Sequence, residues 1–221
     1  MTPDARANVT LEIGALELSR QGLVIQSRPY AGFECVIGLT VLKQHVVELS
    51  YQPASLRVYD ASQYEYSGSG HAVPFVIDQG NLFVTATLVF PEGDPISARL
   101  AAGTGGGWPA DYLSKKLPRQ AQRHEQGFEA VPDFWSGFAG NQPRVLWARL
   151  EKLKPDDAEL PRPIFFLCQV RGFGGGDEPD GLLCPDFLGR FKLIFDYPKQ
   201  RLILEAGRTL AMRCHSTPAE P

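Results

Sequence analysis

Val, Leu, Ile and Phe fall along this chain in short runs, many of them alternating with polar residues, and Pro or Gly interrupts the runs at short intervals. Alternation puts successive side chains on opposite faces of an extended backbone, so the pattern predicts strands rather than helices. The clearest hairpin is Val84 to Phe90, a turn over Pro91 to Pro95, and Ile96 to Leu100. Val73 to Ile77 reads as another apolar strand. Pro163 to Val170 is almost continuously apolar, as expected of a strand covered on both faces. Helix is expected only as a turn or two, over Val145 to Lys154 and Asp186 to Phe191. The tail from Arg213 to Pro221 is polar, contains proline and reads as frayed.

Beneath this texture lies an internal repetition. Gly38 to Val58 aligns with Cys184 to Leu204 at a constant offset of 146 residues, without a gap. Leu42 matches Leu188, Tyr51 matches Tyr197 and Leu56 matches Leu202; Val41/Phe187, Val47/Leu193, Leu49/Phe195 and Val58/Leu204 keep apolar character. Both copies run through an apolar pair, a short polar turn, a strand, a tyrosine-bearing turn with proline close behind, and a second strand. Val9 to Gln26 and Ala148 to Gln169 match more loosely. The expectation is an internal duplication.

The second copy contains Gly181-Leu182-Leu183-Cys184-Pro185-Asp186-Phe187-Leu188, then Phe191 to Phe195, Asp196-Tyr197-Pro198 and Arg201 to Leu204. This resembles the later half of a lobe in the retropepsin-like and pepsin-like aspartic proteases, with Cys184 where that family usually has glycine. The resemblance implies an all-β fold of retropepsin-like (acid protease) β-barrel lobes, here from an internal duplication with a complete second lobe and a partial first. The divisions it suggests are 1–66 for the later part of lobe one, 67–210 for lobe two and 211–221 for the tail. It also implies a hairpin running into an Asp-Thr-Gly triplet upstream of Leu183. The hairpin of Val84 to Leu100 runs into Ala101-Ala102-Gly103-Thr104-Gly105, with glycine in place of the carboxylate. At the offset of the repeat, the first lobe's triplet falls before Met1.

Such proteases need two facing carboxylates that share a proton, one acting as base on a water while the other stays protonated. Gly103 supplies neither role. The family's threonine and second glycine, Thr104 and Gly105 here, serve structure: a hydroxyl that locks the loops and a close backbone approach. A rival triplet is Asp78-Gln79-Gly80, which follows the strand of Val73 to Ile77, although an ordinary turn aspartate reads the same way. Leu182 and Leu183 are candidate substrate-binding residues, as are Phe128 and Trp135, which with Phe134 and Phe138 fall where the family's substrate-covering flap would lie. The implied function is a non-hydrolytic homologue that at most binds peptide. The alternative is an active aspartic endopeptidase completed by missing N-terminal sequence, a partner chain or Asp78.

Composition narrows the remaining classes. With 43% apolar and 10% aromatic residues the chain can build an ordinary core. A net charge of −3, with both signs mixed along the chain, offers no footprint for nucleic acid. No run approaches the roughly 20 apolar residues of a membrane span, and Met1 to Leu11 lacks the pattern of an export signal, so a soluble product is expected. Cys35, Cys168, Cys184 and Cys214 are far apart, and His45, His71, His124 and His215 share no ligand spacing, so neither metal nor cofactor is expected. Gly103 to Gly107 lacks the Gly-Lys-Ser/Thr of a phosphate loop, and no G-x-S-x-G elbow occurs. The expected partners are a peptide or protein segment, and a second copy or another chain that completes lobe one.

Overall fold

A computed structural model of the chain describes residues 5–14, 16–25, 35–91, 93–104, 112–114, 128–131, 145–161, 164–168 and 179–206. Strands dominate: β1 (Ala5–Ile13), β2 (Leu16–Ile25), β3 (His45–Tyr51), β4 (Ala54–Asp60), β5 (His71–Asp78), β6 (Asn81–Val89), β7 (Ile96–Ala102) and β8 (Tyr112–Ser114). They continue with β9 (Phe128–Val131), β10 (Val145–Arg149), β11 (Lys152–Pro155), β12 (Leu160–Pro161), β13 (Ile164–Cys168), β14 (Gly181–Leu183), β15 (Phe191–Asp196) and β16 (Arg201–Ala206). Among the described residues two single helical turns, α1 (Leu39–Leu42) and α2 (Pro185–Leu188), interrupt them.

The expected hairpin is present, with Leu88 opposite Ile96 and Val84 opposite Leu100. Val145 to Lys154 is not helical. It forms β10 and then β11, because Leu146 to Arg149 pair with β13 on one side and Val145 to Ala148 with β9 on the other, and Val145 and Trp147 suit a strand. The second expected helix is one turn that starts at Pro185, a residue pre-shaped for a first helical position, and stops before β15. The turn of α1 has no counterpart among the sequence expectations. The chain beyond Ala206, including the tail, lies outside the described residues.

Among the described residues, fourteen strands form one hydrogen-bonded network whose main path runs β4-β3-β15-β16-β5-β6-β7-β14-β8-β13-β10-β9, with β11 attached to β6 and β12 to β11; β1 and β2 pair separately. The alternation in β3, β15 and β16 sorts their residues cleanly. Val47, Leu193, Phe195, Leu202 and Leu204 enter the main core with Phe75, Val84, Leu88, Leu100, Phe165 and Phe187. On the other face Val46, Ile194 and Ile203 are covered by Tyr59, Tyr64 and Tyr66. Glu48, only 8% exposed, accepts hydrogen bonds there from the hydroxyls of Tyr59 at 3.0 Å and Tyr64 at 3.1 Å and faces Lys192 Nζ at 3.2 Å. A carboxylate so placed keeps partners for its charge after losing water.

The offset of the sequence repeat reappears in the pairing registers. Leu39 and His45, which open α1 and β3, are the repeat counterparts of Pro185 and Phe191, which open α2 and β15. In the hairpin β3–β4, His45 faces Asp60 and Val47 faces Val58. In β15–β16 the counterparts of those same residues face each other, Phe191 with Ala206 and Leu193 with Leu204. The two hairpins meet edge to edge. Between them Leu49 faces Leu193, Glu48 faces Ile194 and Val47 faces Phe195, so the facing pair Glu48 and Ile194 are themselves counterparts in the repeat.

Candidate active site

Strand β7 leads into Gly103, and β14 runs parallel beside it with Leu182 opposite Ala101 and Leu183 opposite Ala102. The backbone continues this ladder for one more step, the Gly103 amide donating to the Leu183 carbonyl at 2.9 Å. On its other side β14 pairs with β8, so β7 and β8 both rest on Gly181-Leu182. The entry to β14 is fixed by a two-way clamp. The Asp180 amide donates to the Arg99 carbonyl, and Asp180 Oδ2 accepts from the Arg99 amide, both at 2.8 Å.

A side chain at Gly103 would point at Leu182, since a Cβ built there lies 3.3 Å from Leu182 Cδ1. That atom ends a flexible side chain, and Gly103 is not among the residues of positive φ, so the position demands glycine neither for space nor for backbone shape. Thr104 is exposed, and its carbonyl accepts a hydrogen bond from the Tyr51 hydroxyl at 2.7 Å. Tyr51 ends β3, so that strand holds the residue after Gly103. Burial, together with the nearby Cys184 thiol, pushes the Tyr51 hydroxyl up to about 12. Its counterpart Tyr197 stacks on Phe195 and meets Phe75 edge-on, and burial pushes it too up to about 12.

Cys184, where the resembled family has glycine, is buried and precedes α2, its carbonyl accepting from the amides of Phe187 and Leu188. Gly38 holds the equivalent place before α1. Asp196, from the Asp-Tyr-Pro turn, closes the β15–β16 hairpin by accepting from Arg201 Nε at 2.9 Å and the Lys199 amide at 3.3 Å.

Asp78 is elsewhere. It ends β5 at a two-residue hairpin turn in which Gln79 and Gly80 have φ of 46° and 80°, and its Oδ2 accepts from Arg99 Nη2 at 2.7 Å. The Arg99 guanidinium in turn lies 3.8 Å over the Phe83 ring. Leu183 is 2% exposed and faces the core, while Leu182 is half-buried against Gly103. Phe128 begins β9, and Gly105, Trp135, Phe134 and Phe138 lie outside the described residues. Sequence reasoning misses Tyr51, Arg99 and Asp180 as parts of the site. The identity of Tyr51 with Tyr197 in the repeat is the one signal that points to any of them. Among the described residues no cluster of three His, Cys, Asp or Glu side chains is placed to hold a metal ion, and no helix is long and apolar enough to cross a membrane.

No family model matches the sequence. No curated protein matches it either. Among solved structures, an aspartic proteinase from Irpex lacteus aligns with a TM-score of 0.54 over 91% of this chain and 76% of its own, at 14% identity. A retropepsin-like aspartic protease from Rickettsia conorii aligns with a TM-score of 0.42 over 64% of this chain and 96% of its own, at 17% identity. The chain thus has a pepsin/retropepsin-like, all-β fold. At such identity the likeness extends to the fold and not to the chemistry.

Proposed function

We propose that this chain is an aspartic-peptidase homologue that does not hydrolyse peptide bonds by itself and at most holds an extended peptide. The observation that carries this reading is the place of Gly103. It follows the strand that leads into the site loop, its amide bonds to Leu183, and no carboxylate extends from it. Activation of a water between two acids needs one carboxylate to take a proton and another to hold one, and glycine can do neither. Loss of one member of a concerted catalytic set costs roughly 10⁴-fold or more in rate. A peptide could still add as a strand along an exposed edge.

The reading includes a duplication, with residues 1–66 and 67–210 as a partial and a complete lobe. The hairpin registers shared at the offset of the repeat support it. The alternative, a peptidase completed by further sequence or another chain, draws its support from β4 and β2, which among the described residues pair only within their own hairpins. Asp78 is a poor source of the missing acid, because its carboxylate is engaged by Arg99 at a hairpin turn. Incubation of the purified chain with unstructured peptides across pH 3 to 7 tests the proposal, and no cleavage is expected. Turnover that pepstatin blocks and Asp78→Asn abolishes would overturn it.

A further inference from the structure

Between β4 and β5 the chain makes no strand or helix, yet residues 61–70 are laid across the sheet as a strap. On the face of β3, β15 and β16 that points away from the main core, Ala61, Tyr64 and Tyr66 join Tyr59 of β4 in covering Val46, Ile194 and Ile203. Those three side chains are at most 1% exposed. The strap ends in Ser67-Gly68-Ser69-Gly70, and it lies so close to β16 that a Cβ at Gly70 would be 2.8 Å from Ile203 and 2.9 Å from the Leu204 carbonyl oxygen. Its seat is tight, but its ties are few.

Those ties are of one chemical kind. Among the described residues the strap has a single backbone-to-backbone hydrogen bond, from the Gln63 amide to the Asp60 carbonyl at 3.1 Å. Its side-chain ties all lead to carboxylates. At the start, Asp60 Oδ1 accepts from the Ser62 amide at 2.8 Å and the Ser62 hydroxyl at 2.7 Å. In the middle, Glu48 Oε1 accepts from the Tyr64 hydroxyl at 3.1 Å. At the end, Glu205 Oε2 accepts at 3.0 Å from the Tyr66 hydroxyl, which itself accepts from the Gly70 amide at 2.6 Å. The charges around these acids are few as well. Glu48 also faces Tyr59 and Arg57 of β4 and Lys192 of β15, Glu205 faces the same Lys192 at 4.0 Å, and Asp60 lies opposite His45 of β3, whose charge favours the carboxylate.

We infer that residues 61–70 are an acid-released strap, closed while Asp60, Glu48 and Glu205 are ionised and open, with Val46, Ile194 and Ile203 uncovered, once these acids take up protons. A hydrogen bond to an ionised acceptor is roughly twice as strong as one between neutral groups, so proton uptake weakens every side-chain tie at once. It also leaves the Lys192 ammonium among tyrosines without a counter-charge. The hydrogen bonds from Ser62 hold the Asp60 carboxyl below the usual carboxylate range. The stability from that tie is therefore complete above the usual range and is lost as pH falls through the lowered value. Burial raises the hydroxyls of Tyr64 and Tyr66, and Glu48 beside one and Glu205 beside the other add to this, so the tyrosines keep their protons wherever the acids are ionised. The ladders of β3, β15 and β16 beneath the strap join backbone amides to carbonyls, which proton uptake does not touch. Opening is thus local, and at neutral pH the burial of the three apolar side chains keeps the strap shut.

Amide hydrogen exchange of the full chain at pH 7 and pH 4, expressed as protection relative to an unstructured chain at the same pH, tests this. Ser62, Gln63 and Gly70 are expected to lose about tenfold or more of their protection at pH 4 and to regain it on return to pH 7, while the amides of β15 and β16 keep theirs. Equal protection of the three strap amides at both pH values overturns the inference. So does a parallel loss in β15 and β16, which would be acid unfolding of the sheet rather than release of the strap. The chain carrying both Tyr64→Phe and Tyr66→Phe, with β15 and β16 still protected, should show the open pattern already at pH 7; strap protection equal to the parent's would count against the inference, and the parent chain decides alone if this variant does not fold.

Discussion

The hydroxyl of Tyr51 and the carbonyl of Thr104, far apart in sequence, are joined by a 2.7 Å hydrogen bond that ties the first half of the chain to the loop after Gly103. Tyr51→Phe keeps the ring and removes this one bond. The expected cost is about 1 kcal/mol in urea unfolding, with faster exchange at the Gly103 amide than at the amides of β15. Equal acceleration throughout would show that the bond has no local role.

Two glycines beside the site should respond oppositely to an added methyl group. At Gly103 a Cβ meets only the mobile end of Leu182, so Gly103→Ala and Gly103→Asp are expected to fold, with stability within about 1 kcal/mol of the parent. At Gly189 a Cβ would lie 2.5 Å from the Pro185 carbonyl oxygen, so Gly189→Ala must displace α2 and should cost about 2 kcal/mol or more. Thermal unfolding of the three variants decides. On the proposed function, Gly103→Asp is also expected not to cleave peptides, since it supplies one acid where two are needed.

Alkaline pH should loosen the protein before it ionises fully. Tyr51 and Tyr197 are pushed up to about 12 by burial, and burial also raises Tyr64 and Tyr66. Unfolded tyrosine titrates near 10, so the stability from keeping these hydroxyls neutral is complete below about pH 10 and is lost as pH rises through 12. Urea midpoints should be flat from pH 8 to 10 and fall above that, and tyrosinate absorbance should show a late-titrating group of side chains. A flat midpoint up to pH 12 would contradict this.

Glu48 lies where both hairpins meet, on the face away from the main core. Glu48→Ala strips acceptors from Tyr59 and Tyr64 and the nearer of two carboxylates from Lys192, and is expected to cost about 2 to 3 kcal/mol; Glu48→Gln should cost less because it can still accept from a hydroxyl. A double-mutant cycle of Glu48→Gln with Tyr64→Phe should show coupling of at least about 0.5 kcal/mol. Additive effects would mean the two side chains do not act together.

By contrast, the ion pair of Asp78 with Arg99 is partly exposed, so Asp78→Asn should change stability by less than about 1 kcal/mol. A larger loss in thermal unfolding would give that turn a structural weight its exposure does not suggest.

Much of the strand pattern is legible in the sequence because strands such as β5 alternate buried and exposed residues and the apolar runs are punctuated by turn residues. The hairpin of β6 and β7 and the run into Gly103 follow from alternation and turn chemistry alone. Val145 to Lys154 misleads because a short apolar run carries no periodicity that separates a helical turn from a central strand; partners outside the run, at Val131 and Ile164, decide it. The candidate site is legible as a loop but not as a clamp. Neither Arg99 nor Asp180 stands in a recognisable motif, and they meet largely through backbone atoms, which leave no mark on side-chain choice. Asp78 shows the converse: its sequence context suits a catalytic triplet, while Gln79 and Gly80 at positive φ make it the corner of a tight hairpin.

The facing of Glu48 with Ile194 restricts how this chain can change length. Because Val46 to Leu49 pair residue by residue with Leu193 to Asp196, a residue inserted or deleted within either run would slide one strand by one place along the other, and every side chain beyond the slip would change faces. A length change in the turn between β3 and β4 leaves that contact in place. Natural variants of this sequence should therefore vary in length at the turns and hold these two paired runs constant.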